Sequence, residues 1–144
     1  MVRRHSILVV DDDPFFRELY RTALRFEGFD VSTASDGVVA LRSIEQDPPS
    51  LVILDVNMPC LDGWEVLEEL ARFDSTRNIP VIVVTASDVV HATAQAAAIL
   101  SKPVAPDELL PVIGNFPISS LAAFPGMGIT HAVVEDLVRG KGES

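Results

Sequence analysis

A chain of 144 residues with 48% apolar and 22% charged side chains can bury a core without staples, which excludes intrinsic disorder and sets one domain as the starting expectation. The formal charge of -10 excludes a general binder of nucleic acid or anionic lipid, because phosphate contacts need clustered Lys and Arg. Cys60 is alone, so no intrachain disulfide can form, and the cytoplasm is the expected compartment.

Arg3 and Arg4 precede an apolar run, residues 7–10, that is too short for the core of an export signal, and no stretch approaches a membrane span. Short runs rich in Val, Ile and Leu recur at residues 6–10, 51–54 and 81–84, each stopping at an oxygen-bearing side chain: Asp11, Asp55 and Thr85. They read as strands buried on both faces. Residues 14–27 carry an apolar stripe of Phe16, Leu19, Tyr20 and Ala23 at helical spacing, with Asp13 as N-cap, Pro14 at the first helical position and Gly28 as the stop. Residues 29–33 alternate as a second, less buried strand.

A helix is predicted over 37–46 with Val38, Leu41 and Ile44 inward, ending before Asp47-Pro48-Pro49. Another follows the turn signal Asp62-Gly63, over 64–73, with Trp64, Leu67, Leu70 and Ala71 inward. Residues 98–101 form the last short strand, before Lys102-Pro103. Strands alternating with helices imply right-handed crossovers and a parallel sheet covered on both faces. The segment 117–144, broken by Pro117, Pro125, Gly126 and Gly128, is too short for a second domain. Its apolar residues, among them Leu121, Phe124, Met127 and Ile129, point to packing on the domain or on a partner.

In such a sheet, ligands bind beyond the carboxyl ends of the strands, where the strand order reverses. Asp11, Asp12, Asp13, Asp55, Thr85 and Lys102 all stand at predicted strand ends and should converge there. Crowded carboxylates raise one another's pKa unless a cation joins them, and an oxygen-rich, part-hydrated site suits Mg²⁺. A phosphoryl group meeting an aspartate needs partners for three equatorial oxygens. Mg²⁺, the Lys102 ammonium, and the Thr85 hydroxyl with a backbone N–H after Asp55 can supply them. Each residue also has an ordinary explanation: Asp13 caps a helix, Asp11 stands in a loop, Thr85 ends a strand, and Lys-Pro is common in loops.

The stretches Ile7-Leu8-Val9-Val10-Asp11-Asp12-Asp13-Pro14, Leu54-Asp55-Val56-Asn57-Met58-Pro59 with Asp62-Gly63-Trp64, Pro80-Val81-Ile82-Val83-Val84-Thr85-Ala86 and Ser101-Lys102-Pro103 together resemble the receiver domains of two-component response regulators. The resemblance covers residues 1–116 and leaves 117–144 as a C-terminal extension. It implies a doubly wound, flavodoxin-like α/β fold with five parallel strands in the order 2-1-3-4-5 and five helices. It makes Asp55 the phosphoacceptor, with Mg²⁺ held by Asp11, Asp12, Asp55 and the Asn57 main-chain carbonyl, and Thr85 and Lys102 on the phosphoryl oxygens. The phosphodonor would be a histidine kinase or a histidine phosphotransfer domain, and the receiver itself would catalyse transfer as a signalling protein rather than as a conventional enzyme. Its downstream partner would be a protein, with no direct nucleic-acid or membrane binding.

Three departures from the family pattern stand out. Ile99 occupies the position, three before the lysine, where an aromatic usually reports phosphorylation. The chain between Thr85 and Lys102 is about one helical turn short, so the fourth helix is expected to be abbreviated. Pro111 falls inside the last helix, where the lost N–H costs about 3 kcal/mol in a regular helix, and a break is expected there. These departures suggest intact chemistry with an unusual output surface, covered or extended by the apolar tail. Two other classes fit parts of the pattern: a haloacid-dehalogenase-like phosphatase using Asp11 and Asp13, and a receiver that signals by contact without phosphorylation. His5, His91 and His131 lack ligand spacing and read as surface residues.

Overall fold

The computed structural model describes residues 5–58, 61–86 and 96–116. Five parallel strands, β1 (Ser6–Val10), β2 (Asp30–Ala34), β3 (Leu51–Leu54), β4 (Val81–Thr85) and β5 (Ala98–Ser101), form one sheet in the order β2-β1-β3-β4-β5. The four helices among the described residues are α1 (Pro14–Phe26), α2 (Gly37–Gln46), α3 (Gly63–Arg72) and α4 (Pro106–Ile113). The shortened fourth helix expected after Thr85 falls at 87–95, and Cys60, His91, His131 and the segment 117–144 also lie outside the described residues.

Both faces of the sheet are covered. Successive strand residues point to opposite faces, so Ile7 and Val9 of β1 join the core under α1 and α4, while Leu8 and Val10 join the core under α2 and α3. β3 and β4 are buried at every residue, which explains their unbroken aliphatic sequences. β2, at the sheet edge, buries only Val31 and Ala34, and this is the origin of its weaker alternating pattern.

Local chemistry sets the helix ends. Asp13, Asp36 and Asp62 each cap a helix, accepting from the N–H groups of Phe15, Val39 and Glu65. Gly28, at φ +97°, takes the left-handed turn that releases the chain from α1 into β2.

Two sequence expectations, for α2 and for Pro111, need correction. In α2 Gly37, Ala40 and Ile44 are buried and Leu41 packs against the same core, whereas Val38 is 43% exposed, on the side away from these residues. In α3 the buried face is Gly63, Val66, Leu67 and Leu70, and Trp64 packs half-buried against the same core, as expected. The break at Pro111 does not occur: α4 runs through it to Ile113. Leu109, Val112 and Ile113 on either side of the proline are buried, and their packing outweighs the single lost N–H bond.

Candidate functional site

The strand order reverses between β1 and β3, whose carboxyl ends carry Asp11 and Asp55 side by side. Each is placed by continuation of the sheet: the Asp11 N–H donates to the Ala34 carbonyl at 3.1 Å, and the Asp55 N–H to the Val10 carbonyl at 2.9 Å. Thr85 closes β4, and its carbonyl accepts from the Lys102 N–H at 2.8 Å, which sets Lys102 beside it past the end of β5. Distant parts of the chain thereby meet at one edge.

Asp11, Asp55 and Thr85 are the buried polar or charged residues among those described, exposed by 2%, 4% and 1%. The Lys102 ammonium donates to Asp11 Oδ2 at 2.7 Å and to Asp55 Oδ2 at 3.3 Å. The remaining carboxylate oxygens are held by backbone. Asp11 Oδ1 accepts from the Asp13 N–H at 2.9 Å, and Asp55 Oδ1 from the Asn57 N–H at 3.0 Å. The Asn57 side-chain amide donates to the Thr85 hydroxyl at 3.0 Å, tying the β3 loop to the end of β4. Burial pushes the Asp55 carboxyl up to about 6, with the Asp11 charge adding to it, against the Asn57 N–H and the Lys102 charge. For Lys102 burial favours the neutral amine, but the hydrogen bond to Asp11 and the charge of Asp55 outweigh it and raise the ammonium above its ordinary range.

Asp12 completes the acidic group from the surface. One carboxylate oxygen each from Asp11, Asp12 and Asp55 lies within 4.8 Å of the others, two of the residues being buried and Asp12 exposed. Three carboxylates against one ammonium leave surplus negative charge, and the donor set is oxygen only with one side open to water. That is the donor chemistry Mg²⁺ prefers, so the residues present fit this ion.

Of the sequence-derived candidates, Asp11, Asp12, Asp55, Thr85 and Lys102 come together through their side chains; Asn57, expected there through its main-chain carbonyl, joins them through its N–H and side-chain amide. Asp13 is instead committed to the α1 cap at 2.9 Å from the Phe15 N–H, which disfavours the phosphatase alternative that would use it. Sequence reasoning missed several supporting residues. Arg17 donates to the Asp11 carbonyl at 2.7 Å, and the buried Tyr20 hydroxyl donates to the Val104 carbonyl at 2.9 Å. Gly63 lies so close that a Cβ there would fall 2.5 Å from Val56 Cα and 2.6 Å from the Asp55 carbonyl oxygen. Helical spacing placed Tyr20 in the core, but nothing local signals a hydroxyl partner 84 residues away.

A doubly wound sheet with an acidic group and a lysine at its switch point defines an α/β protein whose ligand site lies at the carboxyl edge of the sheet. Residues 7–114 match the response regulator receiver domain, and the chain belongs to that family of signalling proteins. It is 45% identical over 109 residues to response regulator MprA of Mycobacterium ulcerans, covering 72% of this chain and 46% of that protein. The chain thus spans about half the length of the curated relatives it matches. Among solved structures, a CheY-like receiver domain protein from Methanospirillum hungatei matches with TM-score 0.74 and 27% identity over 84% of this chain and 98% of that one. The response regulator TrrA from Thermotoga maritima, solved with Mg²⁺ and BeF, matches with TM-score 0.68 and 33% identity over 76% of this chain and 96% of that one.

Proposed function

We propose that residues 1–116 form the receiver unit, with 117–144 as an extension, and that the Asp55 carboxylate accepts a phosphoryl group from a phosphohistidine of a histidine kinase or phosphotransfer domain. The observation that carries this reading is the Lys102 ammonium bridging two buried carboxylates of different strands, with a hydroxyl tethered beside them. A buried cation so placed does little for stability that an apolar pair could not do, and its use lies in chemistry.

In the reaction an Asp55 oxygen forms the new P–O bond as the donor's P–N bond breaks, and the leaving imidazole keeps the electron pair and takes a proton. Lys102 and the Thr85 hydroxyl would each meet one equatorial oxygen, and the N–H after Asp55 would offer a further donor. Asp11, Asp12, Asp55 and the Asn57 carbonyl would hold Mg²⁺, which when bound neutralises phosphoryl charge. Because the Asp55 carboxyl sits at about 6, it is ionised and nucleophilic near neutral pH. Phosphorylation draws Lys102 away from its present partners, and the resulting shift in population between two conformations or partners is the signal. Among the described residues no helix is long and apolar enough to cross a membrane, and a cytoplasmic setting beside a kinase's phosphohistidine belongs to the same reading.

Incubation with acetyl phosphate and Mg²⁺, followed by mass spectrometry of borohydride-trapped peptides, should place one phosphoryl group on Asp55 and none on Asp55→Asn. Modification at Asp11 or Asp12 in the native chain, or no modification at all, would refute it.

A further inference from the structure

The scheme above leaves one close neighbour of Lys102 without a role. The ammonium lies 4.3 Å from the centroid of the Phe16 ring while reaching Asp11 and Asp55 at 2.7 and 3.3 Å. An ammonium has N–H donors and no acceptor. Carboxylates take it on one side and an aromatic face covers another. The lysine side chain is only 11% exposed, so the ring stands where water would otherwise solvate the charge.

The ring is itself fixed. Phe15 meets it edge-on, with centroids 5.4 Å apart at 80°, and Tyr20 lies 6.0 Å away at 32°. Tyr20 is in turn anchored by its hydroxyl to the carbonyl of Val104, two residues past Lys102. α1 therefore holds the chain around Lys102 at two points, by a ring on the ammonium and by a hydrogen bond on the backbone. β5 offers no such ring, since none of its residues is aromatic, and Ile99 packs on the opposite face of the sheet.

We propose that Phe16 is a positioning residue for Lys102, its π face keeping the ammonium between Asp11 and Asp55, ready for an oxygen of the incoming phosphoryl group. This rests on the reading of Asp55 as phosphoacceptor. A lysine on a flexible four-carbon stem has many rotamers, and a fixed aromatic face selects among them electrostatically. The attraction follows the ring's negative face rather than its bulk, so it can be weakened at nearly constant shape by fluorination.

The test uses the full chain with fluorinated phenylalanines of rising fluorine number at position 16, together with Phe16→Leu and Phe16→Trp. The maximal rate of phosphorylation by acetyl phosphate should fall steadily along the fluorine series. It should be roughly five- to tenfold lower in Phe16→Leu and restored in Phe16→Trp, while Mg²⁺ affinity by calorimetry stays constant and the fluorinated chains stay folded, their melting temperatures falling only slightly as the contact weakens. A rate indifferent to fluorination, or equal in Phe16→Leu and the native chain, overturns the proposal. In the metal-free protein, ring-current shifts of the Lys102 ε-methylene signals should be present natively and lost in Phe16→Leu. If those shifts are present but the native chain takes no phosphoryl group, the Asp55 reading fails and the role with it; if they are absent natively, the Phe16 contact fails whatever phosphorylation shows.

Discussion

The Asp55 carboxylate is costly to keep ionised in the metal-free fold. Its folded pKa of about 6 lies above the ordinary carboxylate value, so the folded state binds more protons than the unfolded chain between about pH 4 and 6. The contribution to stability is fully present below pH 4 and is lost as pH rises through 6. Asp55→Asn is therefore expected to melt higher than the native chain at pH 7.5 without Mg²⁺, by on the order of 2 kcal/mol, with the difference shrinking toward pH 4. Thermal melts across that range check it; a difference that grows on acidification contradicts it. Lys102→Met works in the opposite direction. It leaves the buried Asp11 and Asp55 carboxylates without their shared cation, and a loss of about 3 kcal/mol is expected, partly recovered by Mg²⁺. Denaturant titrations with and without the ion measure both parts. Asp11 and Asp55 were legible in the sequence because each follows an aliphatic run that reads as a buried strand, and Lys102 because it follows the short strand of residues 98–101. Phe16 and Tyr20 were legible only as core, since their partners, Lys102 and Val104, are far away in the chain.

Among the elements, α3 and α4 show what local pattern can and cannot foretell. Gly63 opens α3 against the backbone of Val56 and the carbonyl of Asp55, a close approach that the sequence presents only as a common turn signal. Gly63→Ala must push the loop carrying Asp55 outward, and a loss of about 2 kcal/mol with slowed phosphorylation is expected. Chemical denaturation and the acetyl phosphate rate report the two effects. α4 teaches the reverse lesson: helix propensity argued for a break at Pro111, but the burial of Leu109, Val112 and Ile113 decided the outcome. Pro111→Ala should return an N–H to the ladder and stabilise the protein by about 1–2 kcal/mol, seen as a raised melting temperature. The exposure of Val38 had a related source: Val39 is exposed as well, and α2 seats Gly37, Ala40 and Ile44 against the core, a choice that hydrophobicity alone does not foretell.

At the scale of the molecule, strand order and layering followed from the alternation of elements, while the face each helix chose depended on size matching across the core. The carboxylates of Asp11, Asp12 and Asp55 come together only in the folded chain, so Mg²⁺ is expected to stabilise it, by about 2.7 kcal/mol at a hundredfold excess over the dissociation constant, and to raise the melting temperature. The shift should be much smaller in Asp12→Ala, which keeps the buried ion pairs but removes the exposed carboxylate. Differential scanning calorimetry across a magnesium series tests this. The pairing of Lys102 with Asp11 joins residues 91 positions apart, the first strand's end to the last strand's. On the ribosome, the nascent chain therefore carries two aspartates destined for burial long before their counter-charge is synthesised. The amino-terminal strands cannot settle alone at that edge, and final consolidation waits for the last strand to emerge.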